Sequence, residues 1–345
     1  MWRRALIGAG LVAAAIGARY WTADGGGAAT LKESRPLMGT LWSIEVAPHG
    51  REAEARAAVE RAFAEAARIE ALMSEWRPET AVARINAAAG GDWVEVPDEL
   101  RAILERAIAY GNKSSGAFDV TWRGMGRIWR YDDKFRTPSK KEVEGARGNV
   151  DYRGLQLEGN KARLAREGMA IGLGGIAKGY AVDRTSRLLR EAGFADSIVA
   201  GAGDILASGT NDGAPWRVGI QDPRGERGRL LGVIDVSGAA VSTSGDYERF
   251  RMVGGVRYHH IIDPRTGWPA RESISVSVKA ASSEQADVLA TAIFVLGAEK
   301  GLALADAEGV DVLIIDAAGR RHATGAFSAI VARPGLGASG IGGRR

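Results

Sequence analysis

Ile274-Ser275-Val276-Ser277-Val278-Lys279-Ala280 alternates apolar and polar residues, and two positions later the pattern changes. There the chain reads Ser282-Ser283-Glu284-Gln285-Ala286-Asp287-Val288-Leu289-Ala290-Thr291-Ala292-Ile293-Phe294-Val295-Leu296-Gly297. An alternation of period two places successive side chains on opposite faces and predicts a strand. A serine just before the next apolar run can accept a hydrogen bond from a free backbone amide, so Ser282 or Ser283 caps a helix. That helix reaches Leu296 and stops at Gly297.

Outward from this unit, residues 41–46 alternate as a strand, and residues 52–73 carry Val59, Ala62, Phe63, Ala66, Ile69 and Leu72 at helical spacing. A second helix spans residues 98–110, with Leu100, Ile103, Leu104 and Ala107 on one face. Residues 154–165 read as a hairpin turning at Gly159-Asn160, and residues 176–192 as a helix ended by Gly193. Strands are predicted near 197–200, 216–221, 230–236 and 258–262. A final hairpin pairs 311–315 with 329–332 through a turn at Gly319. Strands outnumber helices and are joined mostly by turns, which predicts an α+β fold with antiparallel sheets.

The 345 residues suffice for one large domain or two of moderate size. Net charge is +4, but Arg3, Arg4, Arg344 and Arg345 lie at the ends and the interior is nearly balanced. No run of like charge suggests a nucleic-acid surface, so no nucleic-acid partner is expected. The absence of cysteine excludes disulfides, thiolate metal sites, thiol nucleophiles and a lipidated cysteine anchor. Residues 1–30 read as a targeting segment and linker: Arg3-Arg4, a small apolar run over residues 5–18, then Asp24 and three glycines. Export to the periplasm is expected, either with cleavage or with residues 5–21 as a membrane tether. The folded unit is expected over 31–333, and the Gly-rich stretch 334–345 reads as a flexible tail.

Several groups carry chemistry. Asp287 and Thr291 are four residues apart and share a helix face, and a carboxylate with a hydroxyl suits Mg²⁺ or Ca²⁺. An exposed Asp beside a buried Thr has the same spacing. His259-His260 on a strand would point to opposite faces, so one at most serves a given site, and a histidine before the Asp263-Pro264-Arg265-Thr266-Gly267 turn can act as a general base. Thr243-Ser244-Gly245-Asp246-Tyr247 reads as a turn. Gly172-Leu173-Gly174-Gly175-Ile176-Ala177-Lys178 precedes a helix, where backbone amides can approach phosphate and Lys178 can contact it. The loop is not a Walker loop, and no acidic residue near 200–201 serves a dinucleotide ribose. Gly116-Ala117-Phe118-Asp119-Val120-Thr121 reads as a turn and strand start, and Trp76 as a ring that can stack on a flat partner.

Taken in order, these pieces resemble the FAD:protein FMN transferase (ApbE-like) family. The matching motifs are Met38-Gly39-Thr40, Met73-Ser74-x-Trp76-x-Pro78, residues 116–121, Gly174-Gly175-Ile176-Ala177-Lys178-Gly179-Tyr180-Ala181-Val182-Asp183, Thr243-Ser244-Gly245-Asp246-Tyr247-Glu248-Arg249, His260-Ile261-Ile262-Asp263-Pro264-Arg265-Thr266-Gly267 and residues 286–292. They run from about residue 35 to 305. The resemblance implies antiparallel sheets flanked by helices in a T-fold-like arrangement. It also implies an exported, Mg²⁺-dependent enzyme that splits FAD and joins FMN, through its phosphate, to a Thr or Ser of an acceptor protein, releasing AMP. Such an acceptor would be a membrane or periplasmic redox subunit. By motif, Met38, Trp76, Ala117, Phe118, Asp119, Lys178 and Ile261 would contact FAD. The metal would be held by Asp287, Thr291 and backbone oxygens at Gly175 and Ala290, and His260 would be the base on the acceptor hydroxyl. Two positions depart from the family's pattern. Gly172 stands where an Asp that contacts the adenosine half is usual, and Trp76 where Tyr is common. Two other readings use the same residues: an FAD pyrophosphatase yielding FMN and AMP, and a periplasmic flavin-binding protein without turnover.

Overall fold

The structure, a computed structural model, describes residues 30–226 and 228–332. The targeting segment and the tail expected from the sequence lie outside these residues. Eight strands form the central sheet, in the order Leu31–Leu37, Thr40–Val46, Ser197–Gly201, Asp204–Ser208, Ala239–Gly245, Ser273–Ala280, Asp311–Asp316 and Arg321–Ala323. Every neighbouring pair is antiparallel. The first hairpin closes through Met38 (φ 51°) and Gly39 (φ 71°), the two left-handed central residues that suit the twist of antiparallel strands.

The helices Glu52–Met73, Ala177–Glu191 and Ser283–Leu296 pack on one face of the sheet. Val199, Ala240, Val276, Val278 and Ile314 point into that core, against Val288, Leu289 and Ile293 of the last helix. The adjacent residues Ile198, Val241 and Leu313 point the other way, against Trp216, Val218 and Ile234 of a separate hairpin and against Phe327 and Ile330. The pleat thus feeds two cores from one sheet. Residues 239–245 carried no alternation signal because Ala240 and Val241 enter different cores and Ser242, Thr243 and Ser244 follow as three successive polar residues.

The mixed α+β architecture agrees with the sequence reading, with four local corrections. Residues 329–332 are not a strand. Ser328–Ala332 is a short helix, and the strand pairing with Asp311–Asp316 is Arg321–Ala323, directly after the Gly319 turn. Phe327 and Ile330, three apart, instead close the second core. The strand at 258–262 ends at His259, because Ile262 bridges Pro269 across the Asp263–Gly267 turn. Thr243-Ser244-Gly245 lies in the Ala239–Gly245 strand rather than in a turn, paired with Ser277, Val276 and Ser275. After Gly116 the chain forms a 3-10 helix, Val120–Arg127, and not a strand; the Asp119 side chain caps it by accepting from the Thr121 amide.

Candidate active site

Two helices begin side by side, and this juxtaposition builds the site. A methyl group at Gly179 would lie 2.4 Å from the Ser283 carbonyl oxygen, so only glycine lets the helices approach this closely. Four residues on, Asp183 accepts hydrogen bonds from the amides of Ser283 (2.7 Å) and Glu284 (2.9 Å), while Ser282 Oγ accepts from Gln285 (3.2 Å). The first-turn amides of the Ser283–Leu296 helix are therefore satisfied from both sides. Burial raises the Asp183 carboxyl to about 6. One turn in, Asp287 is delivered to Lys178.

Lys178 Nζ donates to the Gly174 carbonyl (2.8 Å) and to Asp287 Oδ2 (3.2 Å), and pairs with Asp204 Oδ2 at 3.1 Å. The Gly179 amide also donates to Asp287 Oδ2 at 3.2 Å. Burial works against the ammonium charge, but the two carboxylates outweigh it and hold Lys178 protonated well above the usual lysine range. Burial and the neighbouring Asp204 raise Asp287 to about 7. Asp204 was not singled out from the sequence. Its signal was an acid opening a strand after Gly201-Ala202-Gly203, which nothing local distinguishes from a turn residue. Ser242, on the neighbouring strand, donates to its other oxygen.

Thr291 lies one turn beyond Asp287, its hydroxyl 3.3 Å from Ser244 Oγ. The Gly175 α-carbon faces the same point, since a methyl there would lie 3.7 Å from Thr291 Oγ1 and 3.2 Å from the Phe118 ring. Among the described residues no group of three or more His, Cys, Asp and Glu side chains is placed to hold a metal. A cation here would be held by Asp287, the Thr291 hydroxyl and backbone oxygens. That all-oxygen donor set, with no sulfur or imidazole, fits a hard ion. Ala290 is fully buried and offers only its backbone.

The two histidines separate cleanly. His259 is 2% exposed, its Nε2 bonded to the Ala270 carbonyl (2.7 Å), its Nδ1 accepting from the Ile261 amide (3.3 Å) and its ring edge-on to Phe294. Burial lowers it to about 4, so it is a neutral structural group. His260 is half-buried, and its Nδ1 is buried without a hydrogen-bond partner. Desolvation, then the charge of Arg249, lowers it to about 3; Lys178 pushes the same way. The exposed Arg249 guanidinium reaches the Met38-Gly39 turn, 4.0 Å from where a Gly39 methyl would stand.

The remaining predicted contacts differ in character. Ala117 and Phe118 are buried, and Ile261 is 8% exposed. The Asp119 carboxylate is fully engaged, by the Thr121 amide and hydroxyl on one oxygen and the Tyr152 amide on the other. Trp76 stands 74% exposed, with the Arg123 guanidinium 4.4 Å from its ring centroid. The loop before Lys178 is clamped: Asn86 bonds both backbone groups of Ile171, and Gly172 bonds Val120 and the Trp122 indole.

A profile of the ApbE family matches residues 38–314. The FAD:protein FMN transferase of Treponema pallidum is 38% identical over 312 residues, covering 84% of this chain and 86% of that protein. The enzyme of the same name from Vibrio cholerae is 31% identical, covering 82% and 86%. Among solved structures, an ApbE protein from Thermotoga maritima superposes with a TM-score of 0.81 at 32% identity, over 88% of this chain and 99% of that one. A flavin transferase ApbE from Vibrio cholerae gives 0.77 at 29% identity, over 88% and 99%. The profile match over most of the chain and the extent of these likenesses place this chain in the ApbE family.

Proposed function

We propose that this chain is an FAD:protein FMN transferase, which splits the FAD pyrophosphate and joins FMN by a phosphoester to a Thr or Ser of an acceptor protein, releasing AMP. The observation that carries this reading is the buried Asp204–Lys178–Asp287 cluster beneath the Gly174-Gly175 backbone, with the unpartnered His260 nitrogen beside it. A pyrophosphate concentrates negative charge, and Lys178 is held charged in the place where a departing phosphate gains more. The exposed Gly174 backbone has open space beside it for the phosphates to approach, and the clamps on Ile171 and Gly172 hold the loop before it. His260 is neutral at physiological pH, so its free nitrogen can take the proton of the acceptor hydroxyl. The negative charge of bound phosphates opposes that of Arg249 and Lys178 and raises its basicity.

Mg²⁺ held by Asp287, Thr291 and backbone oxygens of Gly175 and Ala290 would supply Lewis-acid stabilisation of the pyrophosphate. We assign the enzyme to the periplasm, exported by residues 1–30 with residues 5–21 as a tether if uncleaved, and its acceptor to a membrane or periplasmic redox subunit. Among the described residues no helix is long and apolar enough to cross a membrane.

Incubation with FAD, Mg²⁺ and a candidate acceptor tests the reading by mass spectrometry of the acceptor. An added FMN with stoichiometric AMP is expected. Free FMN with an unlabelled acceptor identifies a pyrophosphatase, and intact bound FAD identifies a flavin carrier.

A further inference from the structure

The surroundings of Gly172 are unusual for a loop glycine. Its backbone is not left-handed, so no conformational demand explains the absence of a side chain. Space explains it. A methyl group there would lie 2.7 Å from Glu75 Oε2, 3.2 Å from Arg123 Cβ and 3.3 Å from the Trp122 ring. The Glu75 carboxylate fills the position, with its side chain 9% exposed. Burial raises its pKa, while Arg123 and the Leu173 amide favour the ionised form.

Glu75 Oε1 pairs with Arg123 Nε at 2.7 Å, and the Arg123 guanidinium lies 4.4 Å from the centroid of Trp76. Arg123 is itself only 22% exposed in its side chain, whereas Trp76 is 74% exposed. An exposed indole ordinarily samples several rotamers. Here one face is covered by a guanidinium fixed from below, and the other is open. Arginine over an indole is attracted by the ring quadrupole, and a fixed open aromatic face is a stacking surface for a flat ring.

We propose that Glu75 and Arg123 are positioning residues that brace Trp76 as the stacking platform for a ring of the dinucleotide, and that position 172 is glycine in this chain because the carboxylate of the brace occupies the space. The proposal rests on the FAD reading for the identity of the ring. It also explains the departure at 172 noted from the sequence: a carboxylate is present at that place, reaching it from Glu75.

Two sets of variants test it. FAD affinity is measured directly by flavin fluorescence without acceptor, alongside kcat and KM. Trp76→Ala should weaken FAD binding by about five- to a hundredfold, the range for loss of one ring-on-aromatic stack, and Trp76→Phe should restore most of it. Arg123→Met and Glu75→Gln should raise KM by about two- to fivefold with kcat nearly unchanged, the scale of an exposed cation–π contact. Gly172→Ala should weaken FAD binding in the parent but do so much less in a Glu75→Ala background, where the 2.7 Å contact, the shortest of the three, is gone. Equal effects of Gly172→Ala in both backgrounds, or Trp76→Ala binding FAD like the parent, would overturn the proposal. A readout without FAD keeps it separate from the functional reading. With 5-fluorotryptophan incorporated, the Trp76 ¹⁹F resonance, identified by its loss in Trp76→Phe, should narrow and shift on Glu75→Gln as the ring is released. An unmoved resonance sinks the brace. A moved resonance in a protein that binds no FAD keeps the brace and sinks the function.

Discussion

Replacing Lys178 with Met tests whether the site is built around one cation shared by two carboxylates. The side chains of Asp204 and Asp287 are 3% and 5% exposed, and each has an oxygen within 3.2 Å of Lys178 Nζ. Methionine keeps most of the volume and removes the charge, leaving two facing carboxylates in a poorly solvated place. Breaking a buried pair costs about 3–5 kcal/mol. Lys178 is 24% exposed, so water can enter and the lower end applies, about 3 kcal/mol at pH 8. For a domain of this size that corresponds to a melting temperature lower by about 5 °C. The pH dependence has a definite sign. Asp287 is already raised by burial and by the neighbouring Asp204, and the variant removes the Lys178 charge that opposes this, so the folded state holds a proton the unfolded state has already released. Stability then rises as pH falls, and the deficit against the parent shrinks between pH 8 and pH 5. Urea denaturation at pH 8, 7, 6 and 5 in the absence of divalent cations reads both quantities. A deficit below about 1 kcal/mol, the range of an exposed pair, or one that does not change with pH, refutes the shared-cation account.

The other expectations concern turnover. His260→Ala should lower acceptor labelling by about 10²–10⁴, the range for a general base, with FAD binding retained in a fluorescence titration; equal loss of both would make the residue structural. Because His260 is held at about 3 in the free protein, kcat/KM for FAD, which reports free-enzyme groups, should not fall as pH drops through 6.5 on its account. Asp287, raised to about 7, must lose its proton to hold a cation, so Mg²⁺ titrations should show weaker apparent affinity at pH 5.5 than at pH 8, and equal affinities would contradict the assignment. Asp287→Ala should abolish Mg²⁺-dependent turnover, and retained activity would remove it from the metal site. His259→Ala should destabilise the fold by about 2 kcal/mol through loss of two buried hydrogen bonds, measured by denaturation, with little effect on kcat in the folded fraction.

Local, periodic features were legible in the residues alone. The Ile274–Leu296 alternation and cap, the Glu52–Met73 stripe and the Gly159-Asn160 turn specify their elements because period and capping chemistry act over a few residues. Motif order identified the family, and the metal and base candidates came with it. Two strands were less legible: in residues 204–208 Ile205 and Ala207 enter one core and Leu206 packs on the other, and in residues 239–245 two apolar residues entering different cores are followed by three polar ones. Which charges meet depends on packing between distant elements. Lys178 faces Asp287 because Gly179 admits a neighbouring backbone at a distance no side chain tolerates, and Asp204 joins them from a strand whose position depends on pairing across the sheet. In the same way Gly172 looked like a missing carboxylate, yet Glu75, 97 positions earlier, fills its space. Sequence patterns report contacts made within one element. Long-range approach depends on the packing of several elements, and no single segment encodes it.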